Sequence, residues 1–86
     1  MAEFMVERYL PGVTAEDLSE ALARTRHAIG LLAEEGTTVR HLRCILVPTE
    51  ESVFCLFEGP TAHSVEEANR RAEFPFDQVL KVVWVS

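Results

Sequence analysis

Two short alternating segments separated by a polar turn constrain this chain most. From Thr37 to Pro48, Leu42, Cys44 and Leu46 fall on one side and Val39, His41, Arg43, Ile45 and Val47 on the other, and Val53 to Glu58 resumes the same period of two. Pro48-Thr49-Glu50-Glu51-Ser52 joins them, so the two segments read as a β-hairpin. If Thr49 and Glu50 are the loop residues, Cys44 faces Cys55, Leu42 faces Phe57, Leu46 faces Val53 and His41 faces Glu58. That register gathers one apolar set on one face.

The flanking segments complete a familiar order. Phe4 to Leu10 reads as a strand with Phe4, Val6 and Arg8 on one face and Met5, Glu7 and Tyr9 on the other, ended by Pro11-Gly12. Thr14 with Asp17 forms a capping pair for a helix over Ala15 to Glu35, whose stripe of Leu18, Ala21, Leu22, Ala28, Ile29 and Leu32 faces a core, with Gly36 as left-handed terminator. After Gly59-Pro60, Ser64 and Glu67 read as the capping box of a short helix through Ala72. Gln78 to Val85 closes the chain as a strand, with Leu80, Val82 and Trp84 sharing one face. The sum is one α+β domain over residues 1–86, ferredoxin-like β-α-β-β-α-β, with an antiparallel four-stranded sheet in the order 4-1-3-2 and both helices on one side.

The helix-free face then carries Met5, Tyr9, Ile45, Val47, Phe54 and Leu56. Leaving several such side chains wet forfeits a few kcal/mol, comparable with the whole stability of a small domain. A homodimer, sheet face against sheet face, is the expected remedy. The formal charge of −6 and the lack of clustered Lys and Arg exclude nucleic acid and anionic membrane surfaces as partners. No apolar run reaches the roughly 18 residues of a membrane helix and no leader-like segment opens the chain, so a cytoplasmic protein is expected.

Val6-Glu7-Arg8-Tyr9-Leu10-Pro11-Gly12, the hairpin segments Val39-Arg40-His41-Leu42 and Phe54-Cys55-Leu56-Phe57, and Asn69-Arg70-Arg71-Ala72-Glu73-Phe74-Pro75 together carry a resemblance. They resemble a small bacterial family of unknown function, common in actinobacteria, that includes a nickel-responsive, nickel-binding protein. The resemblance implies the ferredoxin-like fold, dimerisation in the manner of dimeric α/β barrels, and binding of nickel or another divalent metal. The chain has Ala68 and Asn69 where the resemblance would place a metal-binding imidazole.

No phosphate loop, nucleophile elbow or paired-carboxylate signature occurs, so a binding protein is expected in preference to an enzyme. The register gives His41, Glu58 and Glu7 as candidate metal ligands, with Arg43 on the same face. The bland alternative for that cluster is an interface ion-pair network. Arg43 and Tyr9 are candidates for holding a small ligand in the dimer cavity, in a second reading as carrier or cofactor-independent enzyme, and Trp84 could line the same space. Cys44 and Cys55 could be soft metal ligands or a redox pair if their sulfurs meet across the hairpin, but they are expected as free thiols in the core, and His27 and His63 as solvated side chains.

Overall fold

The computed structural model describes residues 1–86. Its elements are β1 (Ala2–Tyr9), α1 (Ala15–Glu34), β2 (Arg40–Val47), β3 (Ser52–Gly59), α2 (Ala62–Arg71) and β4 (Gln78–Val82), with a 3-10 turn over Pro48–Glu50 between β2 and β3. The sheet runs β2-β3-β1-β4 with every neighbouring pair antiparallel. This is the ferredoxin-like order read from the sequence, taken from the other edge. Both helices lie over one face, and the molecule is only 18 Å along its short axis, the thickness of two layers.

Local chemistry sets the element ends. Thr14 and Asp17 form the reciprocal capping box at the start of α1, and Gly36 leaves it at φ 93°. The cap of α2 is Thr61, not Ser64: the Thr61 hydroxyl accepts from Ser64 N at 3.1 Å, so the helix begins earlier than the Ser64–Glu67 pattern indicates. The β2–β3 connection is also longer than a two-residue loop. The 3-10 turn ends at Glu51, whose φ of 51° takes the left-handed position, and its carboxylate accepts from Gly12 N at 2.8 Å.

Between the layers lie Phe4, Val6, Leu18, Ala21, Ala28, Leu32, Val39, Val53, Cys55, Phe57, Val65, Ala68, Ala72 and Phe74. One charged side chain shares this space. Arg8 alternates inward with Phe4 and Val6 and is 2% exposed. Its Nη2 donates to Asn69 Oδ1 at 2.9 Å and its Nη1 to the carbonyls of Phe74 and Pro75 at 3.3 and 3.2 Å, while the guanidinium stacks 3.5 Å from the Phe74 ring centroid. No carboxylate pairs with Arg8, and burial pulls its pKa down to about 10. Neutral acceptors and a ring face thus hold the charge. Asn69 is fixed in turn by donating to Val65 O at 2.8 Å, so β1, α2 and the segment leading to β4 are tied through one side chain.

Replacing Arg8 by Ala leaves a cavity and strips Asn69 Oδ1, the buried Phe74 carbonyl and the part-buried Pro75 carbonyl of their donor. The expected loss is about 3 kcal/mol or more in urea unfolding. A loss below about 1 kcal/mol would mean that the network is not structural.

Candidate functional site

The β2–β3 ladder decides which side chains meet. Cys44 pairs with Cys55, Ile45 with Phe54 and Leu46 with Val53, in the register expected from the sequence. The register holds as far as Arg43, which pairs with Leu56, and then slips by one residue: His41 pairs with Phe57 and Arg40 with Glu58, so Leu42 is the extra residue of a β-bulge. Two sequence expectations fail here, Leu42 opposite Phe57 and His41 opposite Glu58. The physical reason is burial. Unbroken alternation would turn Val39 and His41 to the open face, whereas the bulge sends Val39 into the core at 2% exposure and sets the His41 ring edge-on to Phe57, 5.1 Å between centroids.

The candidate trio is therefore dispersed. His41 joins the helix-covered side. Glu58 forms an ion pair with Arg40 at 3.4 Å, and Glu7 accepts from the side-chain amide of Gln78. Glu58 stands opposite Glu3, four residues from Glu7 along β1, which separates the two carboxylate positions by on the order of 13 Å. Arg43 lines a half-open concavity of about 250 Å³ on the open face with Met5, Ile45, Phe54, Leu56 and Trp84, whereas Tyr9 is exposed and takes no part in it. His27 and His63 are exposed, as expected.

A different group takes the trio's place. His41, Cys44 and Cys55 bring one imidazole nitrogen and two sulfurs within 4.8 Å of one another, the only such cluster of three or more metal-capable side chains in the chain. His41 Nε2 lies 3.3 Å from Cys44 Sγ. Cys44 and Cys55 are joined as a disulfide across the hairpin, correcting the expectation of free thiols. Directly opposed cross-strand positions, with Cα atoms 4.0 Å apart, bring the sulfurs into bonding reach. Cys55 is wholly buried, while Cys44 and His41 are half-buried at the edge of the core.

Burial lowers the His41 pKa below the ordinary 6.5, and the positive charges of Arg26 and Arg8 push in the same direction. The ring is thus a neutral imidazole at pH 7, the form that donates a lone pair. Sequence reasoning placed the two cysteines face to face and singled out His41, but grouped it with Glu58 and Glu7, because only the bulge turns His41 toward the sulfurs.

The fold and this disulfide–imidazole group define a small ferredoxin-like α+β protein with one sulfur–nitrogen cluster under its edge strand. The chain belongs to the family described as "Nickel responsive protein SCO4226-like", whose model matches residues 4–82. Among solved structures it is similar to SCO4226 from Streptomyces coelicolor A3(2), with 26% identity, a TM-score of 0.80, and coverage of 99% of this chain and 100% of that one. No curated protein matches the chain. No helix is long and apolar enough to cross a membrane.

Two outcomes test the geometry. By NMR, the His41 imidazole should titrate below 6.5. Because its folded pKa is depressed, its contribution to stability is present above 6.5 and is lost as pH falls below that value. A titration midpoint at or above 6.5 would contradict the buried placement. Reducing the disulfide should lower stability by up to about 3 kcal/mol, the loop-closure value for a bridge of this short span, while unfolding remains a single cooperative transition because the ladder already holds the hairpin.

Proposed function

We propose that this chain acts in the cytoplasm as a homodimer that binds a divalent transition metal, nickel being the cation its family's description points to, through His41, Cys44 and Cys55. One observation carries the reading: the convergence of a half-buried imidazole and two cross-strand sulfurs. Once reduced, and with its two thiols deprotonated on binding, the group offers two thiolates and one neutral nitrogen, a soft and borderline donor set that suits Ni(II), Zn(II) or Cu in preference to Mg(II) or Ca(II). Three protein ligands leave room for water or an exogenous donor at a further position. These residues would bind the cation and fix its orientation.

Dimerisation is supported by the open face. Ile45 is 55% exposed and Trp84 69%, both lining the apolar concavity that holds Arg43, and Tyr9, outside it, is 58% exposed. A second copy laid on this face would cover these groups and close the concavity into an inter-sheet cavity. The same concavity favours a second reading, a small-molecule carrier in which Arg43 meets an anionic group and Trp84 packs on an apolar one.

Calorimetric titration of reduced protein with nickel, zinc and cobalt at neutral pH should give one site per chain with Kd well below about 100 micromolar. His41→Ala should weaken that site at least about 10-fold, whereas Glu58→Gln should leave it within about twofold. Unchanged binding in His41→Ala would remove the assignment. Light scattering at micromolar concentration should give a dimer mass; a monomer would refute the assembly.

A further inference from the structure

The Cys44 and Cys55 sulfurs serve two chemistries that exclude one another. Joined to each other, as in this structure, they carry no thiolate. Separated and deprotonated, they are the strongest donors of the cluster beside His41 Nε2. We propose that the Cys44–Cys55 disulfide is the switch that governs metal occupancy at the His41–Cys44–Cys55 group: reduction opens the site, and oxidation expels the cation. The proposal rests on the metal-binding reading above and adds its regulation.

The steps balance with cellular thiols and disulfides as co-reactants. A reductant thiolate attacks Cys44 Sγ, the Cys44–Cys55 bond breaks, and Cys55 leaves as a thiolate. A second reductant thiol resolves the mixed disulfide, so the reductant ends as its own disulfide and the protein gains two electrons and two protons. A divalent cation then displaces those two protons and forms two metal–sulfur bonds. In the reverse direction a small disulfide accepts two electrons from the bound thiolates, becomes two thiolates itself, and leaves Cys44 joined to Cys55. The cation departs with its charge unchanged.

Three structural features suit this exchange. Access is asymmetric: Cys55 is fully buried and Cys44 is not, so attack enters at Cys44. Cys44 and Cys55 are held opposite each other by ladder pairs on both sides, Ile45 with Phe54 and Arg43 with Leu56, so neither state needs the hairpin to re-form. The His41 ring is placed by Phe57 as well as by sulfur, so its nitrogen remains at the site in both states. In a cytoplasmic protein, a disulfide of this kind is transient or redox-sensing in preference to structural. Linkage makes the coupling mutual: a bound cation shields the thiols from oxidation to the same degree that oxidation weakens the cation.

The test compares the full-length protein in two states, reduced with a phosphine that is then removed, and oxidised. Both are titrated anaerobically with cobalt(II) and zinc(II), and thiols are counted by alkylation and mass spectrometry. The reduced form should bind one cation per chain and show thiolate-to-cobalt charge-transfer absorption. The oxidised form should bind at least about 100-fold more weakly and lack that band. Adding a small disulfide to the zinc-loaded protein should release zinc in step with thiol loss.

Cys44→Ser should abolish the difference between the two conditions. Should that variant misfold by circular dichroism, wild-type labelling decides the entry point: limiting alkylation of reduced apoprotein marks Cys44 before Cys55. Equal affinity in both states, cation retention after the disulfide forms, or labelling of Cys55 first would overturn the switch and leave metal binding standing. A reduced form that binds no cation would overturn the metal-binding reading itself, and the switch with it.

Discussion

One extra residue in β2 governs what the rest of the hairpin can do. Side chains along a strand alternate faces with period two, so inserting Leu42 into the ladder reverses the facing of every residue on its N-terminal side. Val39 moves from the open face into the core, where it packs near Gly59 and Val65; a Cβ on Gly59 would meet Val65 Cγ2 at 3.3 Å and Val39 Cγ2 at 3.6 Å. Burying one Val side chain contributes about 1.5–3 kcal/mol, which offsets the backbone irregularity of the bulge. His41 moves with it and comes to rest against Phe57 and the Cys44 sulfur. The site is thus a by-product of a packing decision: the bulge that fills the core under α2 also brings the imidazole to the disulfide.

The two faces of the sheet follow different rules. The covered face is closed by apolar side chains from Ala to Phe and by Arg8, a cation whose Nη atoms meet neutral acceptors and whose buried Nε has no partner. Because its partners come from α2 and from the Phe74-Pro75 segment, Arg8 links the central strand β1 to α2 and to the segment leading into β4. The open face keeps Met5, Ile45, Phe54 and Leu56 around a shallow concavity with one cation, Arg43, at its side. A domain of 86 residues has few other apolar contacts in reserve, and this is the physical ground for expecting a second copy there.

Much of this was legible from residue spacing. The element order, the strand order, the capping box at Thr14 and the opposition of Cys44 and Cys55 all follow from periodicity and turn chemistry. Arg8 was placed on the inward face by simple alternation, but its depth of burial was not readable, because the acceptors that hold it lie more than sixty residues away. The start of α2 was misplaced because Thr61 and Ser64 both carry hydroxyls suited to capping, and spacing alone does not rank them. The bulge was invisible for a related reason: Val39-Arg40-His41-Leu42-Arg43-Cys44 alternates acceptably in either register, and only the packing of Val39 into the core beside Gly59 and Val65 selects one. A metal trio of His41, Glu58 and Glu7 was the consequence of the unbroken register, and it dissolves with it. The disulfide needed three-dimensional proximity that a one-dimensional pattern brings close but does not specify.

The bulge is open to direct measurement by the pattern of interstrand nuclear Overhauser effects between β2 and β3. The expected contacts join His41 to Phe57 and Arg40 to Glu58, with an interruption at Leu42 before Arg43 meets Leu56. An unbroken ladder in which Leu42 contacts Phe57 and His41 contacts Glu58 would place the imidazole on the other face from the sulfurs, and would contradict the site and everything built on it.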